Sequence, residues 1–173
     1  TSIVVVKFWA LIVNDLEIIK VNLQSENQIV HQTKTRFGIK TVKFDAKEGF
    51  FLNGKPLKIQ GTNNHQDHAG IGSALPDYMQ YYRIKLLKEM GCNAYRASHN
   101  APTPELLEAC DSLGMLVLDE QRLLNSSPEY IDQCTRILKR DRNHPSVFLW
   151  SIGNEEQNIQ GNEYGKKIAQ TLL

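Results

Sequence analysis

The sequence predicts an α/β fold in which antiparallel strands lead into a parallel sheet with crossover helices. Three observations carry that reading. Residues 1–52 are rich in β-branched and aromatic side chains, with stretches of period-two alternation. From Leu57 onward, short apolar runs alternate four times with segments of helical periodicity, the pattern of strand–helix–strand units. Those later runs are continuously apolar, as strands covered on both faces are.

In the antiparallel part, the opening TSIVVVKFWALIV reads as strand material, because it holds a single Lys and no small-residue cleavage site. Leu16–Leu23 and Gln28–Phe37 flank the turn-like Ser25-Glu26-Asn27, and Lys40–Phe44 alternates again. FFLNGKPLKI reads as a hairpin with Asn53-Gly54 as a type I′ turn. Together these strands suggest part of a β-sandwich.

In the parallel part, Leu57–Gly61 is the first strand. A helix comes next, from Pro76 to Met90, with Tyr78, Tyr82, Leu86 and Met90 at helical spacing and Gly91 closing it. Tyr78, Tyr81 and Tyr82 read mainly as helix packing. Asn93–Ser98 is the second strand. Thr103-Pro104 caps a helix that turns Leu106, Leu107, Cys110 and Leu113 to one face. Met115–Asp119 is the third strand. Ser127-Pro128 opens the third helix, with Tyr130, Ile131, Cys134, Ile137 and Leu138 inward; Val147–Gly153 is the fourth strand, and a fourth helix starts near Asn162.

Composition narrows the function. A formal net charge of +1 leaves no basic excess to neutralise phosphates, which argues against nucleic acid as a partner. No apolar run approaches membrane-spanning length, so a soluble protein of cytoplasm or periplasm is expected and no membrane partner. Cys92, Cys110 and Cys134 are odd in number and widely spaced, which predicts buried free thiols and not disulfides or a metal site.

Function in parallel α/β folds sits at the carboxyl ends of the strands, so the residues just past each strand are informative. The four ends read Gly61-Thr62-Asn63-Asn64-His65-Gln66-Asp67-His68, Arg96-Ala97-Ser98-His99-Asn100, Asp119-Glu120-Gln121-Arg122 and Asn154-Glu155-Glu156. All are polar and ionisable, whereas the opposite ends carry turn residues such as Lys55-Pro56 and Gly114. A carboxyl at the end of an apolar strand is partly desolvated, which raises its pKa and suits it to general acid work. Amides and imidazoles beside it, with Trp150 close in sequence, suit the several hydroxyls of a sugar.

The chain resembles glycoside hydrolase family 2, the β-galactosidase and β-glucuronidase family. The likeness lies in Asn93–Pro102, in Cys110–Glu120, in Arg142–Glu155 (RNHPSVFLWSIGNE), and in Phe51–Pro56 with Gly61–His65. It runs from about Arg36 to the end. The resemblance implies the N-terminal half of a (β/α)8 TIM barrel over residues 47–173, preceded at residues 1–46 by antiparallel strands of an immunoglobulin-like β-sandwich. It implies hydrolysis of terminal non-reducing β-D-glycosidic bonds by a retaining double displacement, with Glu155 as acid/base. Asn154 would hold the sugar 2-hydroxyl, His65 and His99 would line the subsite, and Arg96 would support carboxylates on the barrel floor. Asn100 and Asp67 are the remaining substrate-binding candidates, with loop formation as the alternative for each. The Ser98-His99-Asn100 form points toward β-galactosides.

Three departures limit the likeness. The retaining mechanism needs a nucleophilic carboxylate about 5 Å from the acid/base, and no residue of this chain matches that motif; neither Glu120 nor Glu156 is taken in its place. Family members that bind Mg²⁺ carry Glu-x-His after the third strand, which is missing here, so no cofactor is expected. Thr1 to about Asp15 matches the family poorly.

Asp119 and Glu120 are read as rim groups or as loop anchors to Arg122, and Glu156 as a supporting residue. His144-Pro145 reads as structural, and His31, Lys139, Arg140 and Arg142 as solvated surface. The expected partner is a β-glycoside or oligosaccharide, with a homo-oligomer left open. The competing readings are a catalytically inert sugar-binding or structural unit and a β-glucuronidase or β-mannosidase specificity. A phosphate-binding isomerase would need a glycine-rich phosphate loop, and the chain has none.

Overall fold

The computed structural model describes residues 4–13, 16–25 and 28–172, with side-chain environments from residue 18 onward. Strands β1 (Val4–Val13), β2 (Leu16–Ser25) and β3 (Gln28–Gly38) form an antiparallel sheet in the order β1-β2-β3. The β2–β3 pairing runs from Leu16↔Gly38 to Ser25↔Gln28, and Glu26 and Asn27 of the predicted turn lie outside the described residues. Val21, Leu23, Ile29 and Val30 are exposed on this sheet. The described residues of this part form one three-stranded antiparallel sheet.

Strands β4 (Val42–Asp45), β5 (Gly49–Leu52) and β6 (Lys55–Pro56) make a second antiparallel sheet. Asn53 and Gly54 both have positive φ, 51° and 75°, the backbone of the predicted type I′ turn. The Asn53 side chain accepts from the Thr41 N–H at 2.9 Å, which ties the turn to the start of β4.

The third sheet is parallel, in the order β10-β9-β8-β7: β7 (Gly61–Asn64), β8 (Ala94–Ala97), β9 (Leu116–Glu120) and β10 (Val147–Ser151). Helices α1 (Asp77–Glu89), α2 (Pro104–Leu113) and α3 (Pro128–Asp141) are the crossovers, and α4 (Glu163–Leu172) comes after β10. This is a mixed α/β arrangement of the kind that makes up part of a TIM barrel. No helix among the described residues is long and apolar enough to cross a membrane.

Two sequence-based boundaries shift. The first parallel strand is Gly61–Asn64, not Leu57–Gly61. The backbone of Leu57 bonds to Phe50, and Leu57 packs with Phe50 under the sheet. Parallel pairing starts at Gly61, where a Cβ would run into the Ala94 carbonyl. The stripe on α1 is also reversed: Tyr78, Tyr81, Tyr82, Leu86 and Met90 are exposed, and the buried face is Gln80 and Ile84 with Leu87 partly covered. Tyrosines at helical spacing signal an apolar face, but the sheet takes the other side of the helix.

Alternate strand residues divide between two cores. Tyr95, Ala97, Val117 and Val147 point outward into a cluster with Ile84, Leu106, Leu107 and Cys110 of the helices. Ala94, Leu116 and Phe148 point inward and meet Phe50, Leu52 and Leu57 of the hairpin, which closes the amino end of the sheet. Leu107 is fully buried, so truncating it to Ala would cost about 2–5 kcal/mol. Cys110 and Cys134 are buried free thiols, and Cys92 is half-buried.

The amino end also holds His144, as a structural group. Its Nδ1 lies 2.6 Å from the Asp111 carboxylate, which also accepts from the Ser146 N–H at 3.0 Å. Burial disfavours the charged imidazole, but the hydrogen bond to Asp111 and that carboxylate's charge outweigh it and raise the His144 pKa.

Candidate active site

The same alternation that fills the inner core aims Arg96 of β8 and Glu120 of β9 inward at the carboxyl ends of their strands. Leu116, Leu118 and Glu120 share one parity; Val117 and Asp119 share the other. The register of β10 supplies the next group. Val147 pairs with Val117, which if unbroken would set Ser151 opposite Gln121; a one-residue shift after Val147 sets it opposite Glu120 instead.

Glu120 is fully buried. Its Oε2 accepts from Arg96, with Nε at 2.8 Å and Nη2 at 2.7 Å, and lies 3.1 Å from the Ser151 hydroxyl. Its Oε1 lies 2.7 Å from His99 Nδ1. Arg96 Nη2 also donates to Asn154 Oδ1 at 2.9 Å. The rings of His99 and His65 meet edge to face, centroids 5.2 Å apart. His65 is placed from behind by Arg83 of α1, whose guanidinium donates to the His65 and Gln66 carbonyls at 2.5 and 3.0 Å. Charge-assisted bonds of this kind are the strong ones, and a buried carboxylate so supplied with donors holds its neighbours in one geometry.

Of the residues nominated from sequence, the structure joins His65, His99 and Asn154 in one network with Arg96. Glu155 comes directly after Asn154 in the loop beyond β10, four residues past the strand end, with an exposed side chain that makes no hydrogen bond or ion pair among the described residues. The desolvated strand-end carboxyl expected at Glu155 is thus found at Glu120. Asn100 turns its amide onto the Ala101 carbonyl at 2.9 Å, a loop-forming bond, and Asp67 is exposed. Neither joins the network.

Glu156 supports the loop: its Oε2 accepts from the Asn154 N–H at 3.0 Å and from Gln160 Nε2 at 3.1 Å. Gln160 also donates to the Asn154 carbonyl. Glu120 anchors to Arg96 and His99 and not to Arg122, a role that its parity with Leu116 and Leu118 signals. Two further expectations need correction. Trp150 does not face the rim: the register shift turns it outward, into a groove with Cys134, Ile137, Leu138 and Leu172. Arg140 is not free surface charge. It grips the buried Asp141 carboxylate through Nε and Nη2 at 2.5 and 2.6 Å and reaches the Pro102 carbonyl at 2.7 Å.

Asp119 points the other way from Glu120, toward Asp141. It is buried, and its oxygens receive no N–H or hydroxyl donor among the described residues. Burial first, then the neighbouring Asp141 carboxylate, push its pKa well above the usual carboxylate range, against the pull of Arg140. The residues after Glu120 are Gln121-Arg122. They offer no Glu-x-His donor pair and set a cation there, so they do not fit a divalent metal.

Polar groups gathered at one end of a parallel β/α sheet, with an apolar floor closing the other, are the plan of an α/β-barrel enzyme. The model of the glycosyl hydrolases family 2 TIM barrel domain matches residues 42–126 and 124–172. The chain belongs to glycosyl hydrolases family 2. It is 42% identical over 133 residues to the β-galactosidase BoGH2A of Bacteroides ovatus, covering 70% of this chain and 16% of that protein. With a putative β-glucuronidase of Formosa agariphila it shares 32% identity over 156 residues, 86% of this chain and 19% of that one. In structure it is similar to a β-glycosidase from Bacteroides vulgatus, with a TM-score of 0.78 at 35% identity over 90% of this chain and 21% of that one. A family 2 member from Bacteroides cellulosilyticus gives 0.79 at 36% identity, over 91% and 23%. The chain spans about a fifth of the length of these relatives.

Proposed function

We propose that this chain provides the acid/base side of a retaining β-galactosidase, with the nucleophilic carboxylate supplied outside these residues. The observation that carries the reading is the Arg96–Glu120–His99 network at the carboxyl ends of the sheet, bonded to Asn154, the residue immediately before Glu155. In this reading Glu155 protonates the departing glycosidic oxygen and later takes the proton of the attacking water. Its exposure suits a group that exchanges protons with solvent and leaving group. Asn154, held by Arg96, presents its amide N–H to the sugar 2-hydroxyl. His65 and His99 bind further hydroxyls. Residues 1–46 are assigned to an immunoglobulin-like sandwich domain and 47–173 to the first half of the barrel. The galactoside specificity leans on the Ser98-His99-Asn100 sequence and on the likeness to BoGH2A.

The test is hydrolysis by the whole protein carrying Glu155→Gln. Loss of its acid/base should lower kcat/KM by roughly 10²–10⁴. The loss should be smaller for aryl galactosides, whose leaving groups need little protonation, than for lactose. An equal loss on both would remove Glu155 from that role. A second reading, a sugar-binding unit without turnover, is favoured by the Glu155 side chain making no hydrogen bond or ion pair among the described residues. It predicts ligand binding unchanged by Glu155→Gln and no hydrolysis.

A further inference from the structure

We infer that Glu120 is a positioning residue that fixes His99 as the neutral tautomer with its proton on Nδ1, so that Nε2 faces ligand as a hydrogen-bond acceptor. The tautomer is set by the geometry; its meaning for a ligand rests on the sugar-site reading above.

Two guanidinium nitrogens stand 2.7 and 2.8 Å from Glu120 Oε2. A carboxylate so paired stays ionised and can only accept. Its Oε1 is 2.7 Å from His99 Nδ1, and at that separation two lone pairs would repel, so Nδ1 carries hydrogen and donates. Charge then decides the other nitrogen. Arg96 already balances Glu120, and its Nη2 lies 3.4 Å from the same Nδ1. A second cation in this part-buried cluster would stand against the guanidinium with no further carboxylate bonded to either group. Nε2 therefore keeps its lone pair. It has no hydrogen-bond partner among the described residues, on a ring whose side chain is 19% exposed and which borders His65. An acceptor there takes the hydrogen of a neutral sugar hydroxyl and disfavours a carboxylate, which has no hydrogen to give.

The chain labelled with ¹⁵N-histidine, observed by long-range ¹H–¹⁵N correlation at neutral pH, reads the tautomer directly. Wild type should show a protonated Nδ1 and a bare Nε2 at His99. Glu120→Gln should invert this. The two Arg96 donors and Ser151 demand an oxygen at the Oε2 position, so the amide NH₂ must face Nδ1, which then has to accept. Glu120→Asp keeps the carboxylate and should keep the wild-type tautomer. An imidazolium or an Nε2–H tautomer in wild type would overturn the inference, as would an unchanged pattern in Glu120→Gln. The wild-type spectrum decides the matter even if Glu120→Gln does not fold. Methyl β-D-galactoside should bind Glu120→Gln at least about tenfold more weakly than wild type. Inversion of the tautomer with no galactoside binding by wild type would leave the inference standing and remove the sugar reading alone.

Discussion

Asp119 and Glu120 are adjacent on one strand, and both are buried, yet the two faces of the sheet treat them in opposite ways. Glu120 faces inward, where Arg96, His99 and Ser151 stand within hydrogen-bond distance of its two oxygens. Asp119 faces outward, where its nearest polar company is another carboxylate, Asp141, whose own oxygens are taken by Arg140. Burial alone does not make a working carboxylate. Donors supplied from the two neighbouring strands, Arg96 and His99 at the end of β8 and Ser151 of β10, make Glu120 an ionised hub, and their absence makes Asp119 hold a proton.

The largest effect should come from emptying the inner hub. Glu120→Ala leaves Arg96, only 30% exposed at its side chain, without its main partner. Breaking such a pair should cost about 3 kcal/mol, seen as a lower midpoint in urea unfolding. A loss under about 1 kcal/mol would mean that the network is solvated and not built.

These two neighbours also show what a sequence can and cannot reveal. The crossover helices and the three later parallel strands are dictated by periodicity and turn residues, and they appear where expected. Asn154, His65 and His99 are legible because they come just after apolar strands. The inward hub is less legible, because a single residue of parity separates Glu120 from Asp119. Trp150 misleads for a related reason: the register shift in β10 depends on pairing with β9 and leaves no mark in β10's own composition. The displaced first strand has the same origin, since the Gly61–Ala94 approach is a tertiary contact.

The outer face should answer to pH. The folded protein holds Asp119 protonated well above the ordinary carboxylate range, while the unfolded chain releases that proton near pH 4. Between those values the folded state binds more protons, so this contribution is fully present below pH 4 and is lost as pH rises through the folded value. Asp119→Asn should remove the slope, making the variant less pH-sensitive by at most about 1.4 kcal/mol per pH unit. Urea midpoints taken between about pH 5 and pH 8 measure it. Equal slopes in the two proteins would show that Asp119 ionises freely.

A smaller effect of the same sign belongs to the amino end. The raised His144 pKa gives stability present below its ordinary value near 6.5 and lost as pH climbs through the folded value. Half-buried, the pair with Asp111 should be worth about 1 kcal/mol or less. His144→Asn should lose that amount at pH 6 and less at pH 8 by thermal unfolding. A constant difference across that range would assign His144 a packing role only.

The most direct test of the account is whether the rim binds a sugar at all. Histidine ¹⁵N spectra recorded while methyl β-D-galactoside is added should show His65 and His99 moving together and saturating, with His31 and His144 still. Rings at 65 and 99 that stay in place through millimolar sugar, in a chain that remains folded, would contradict it.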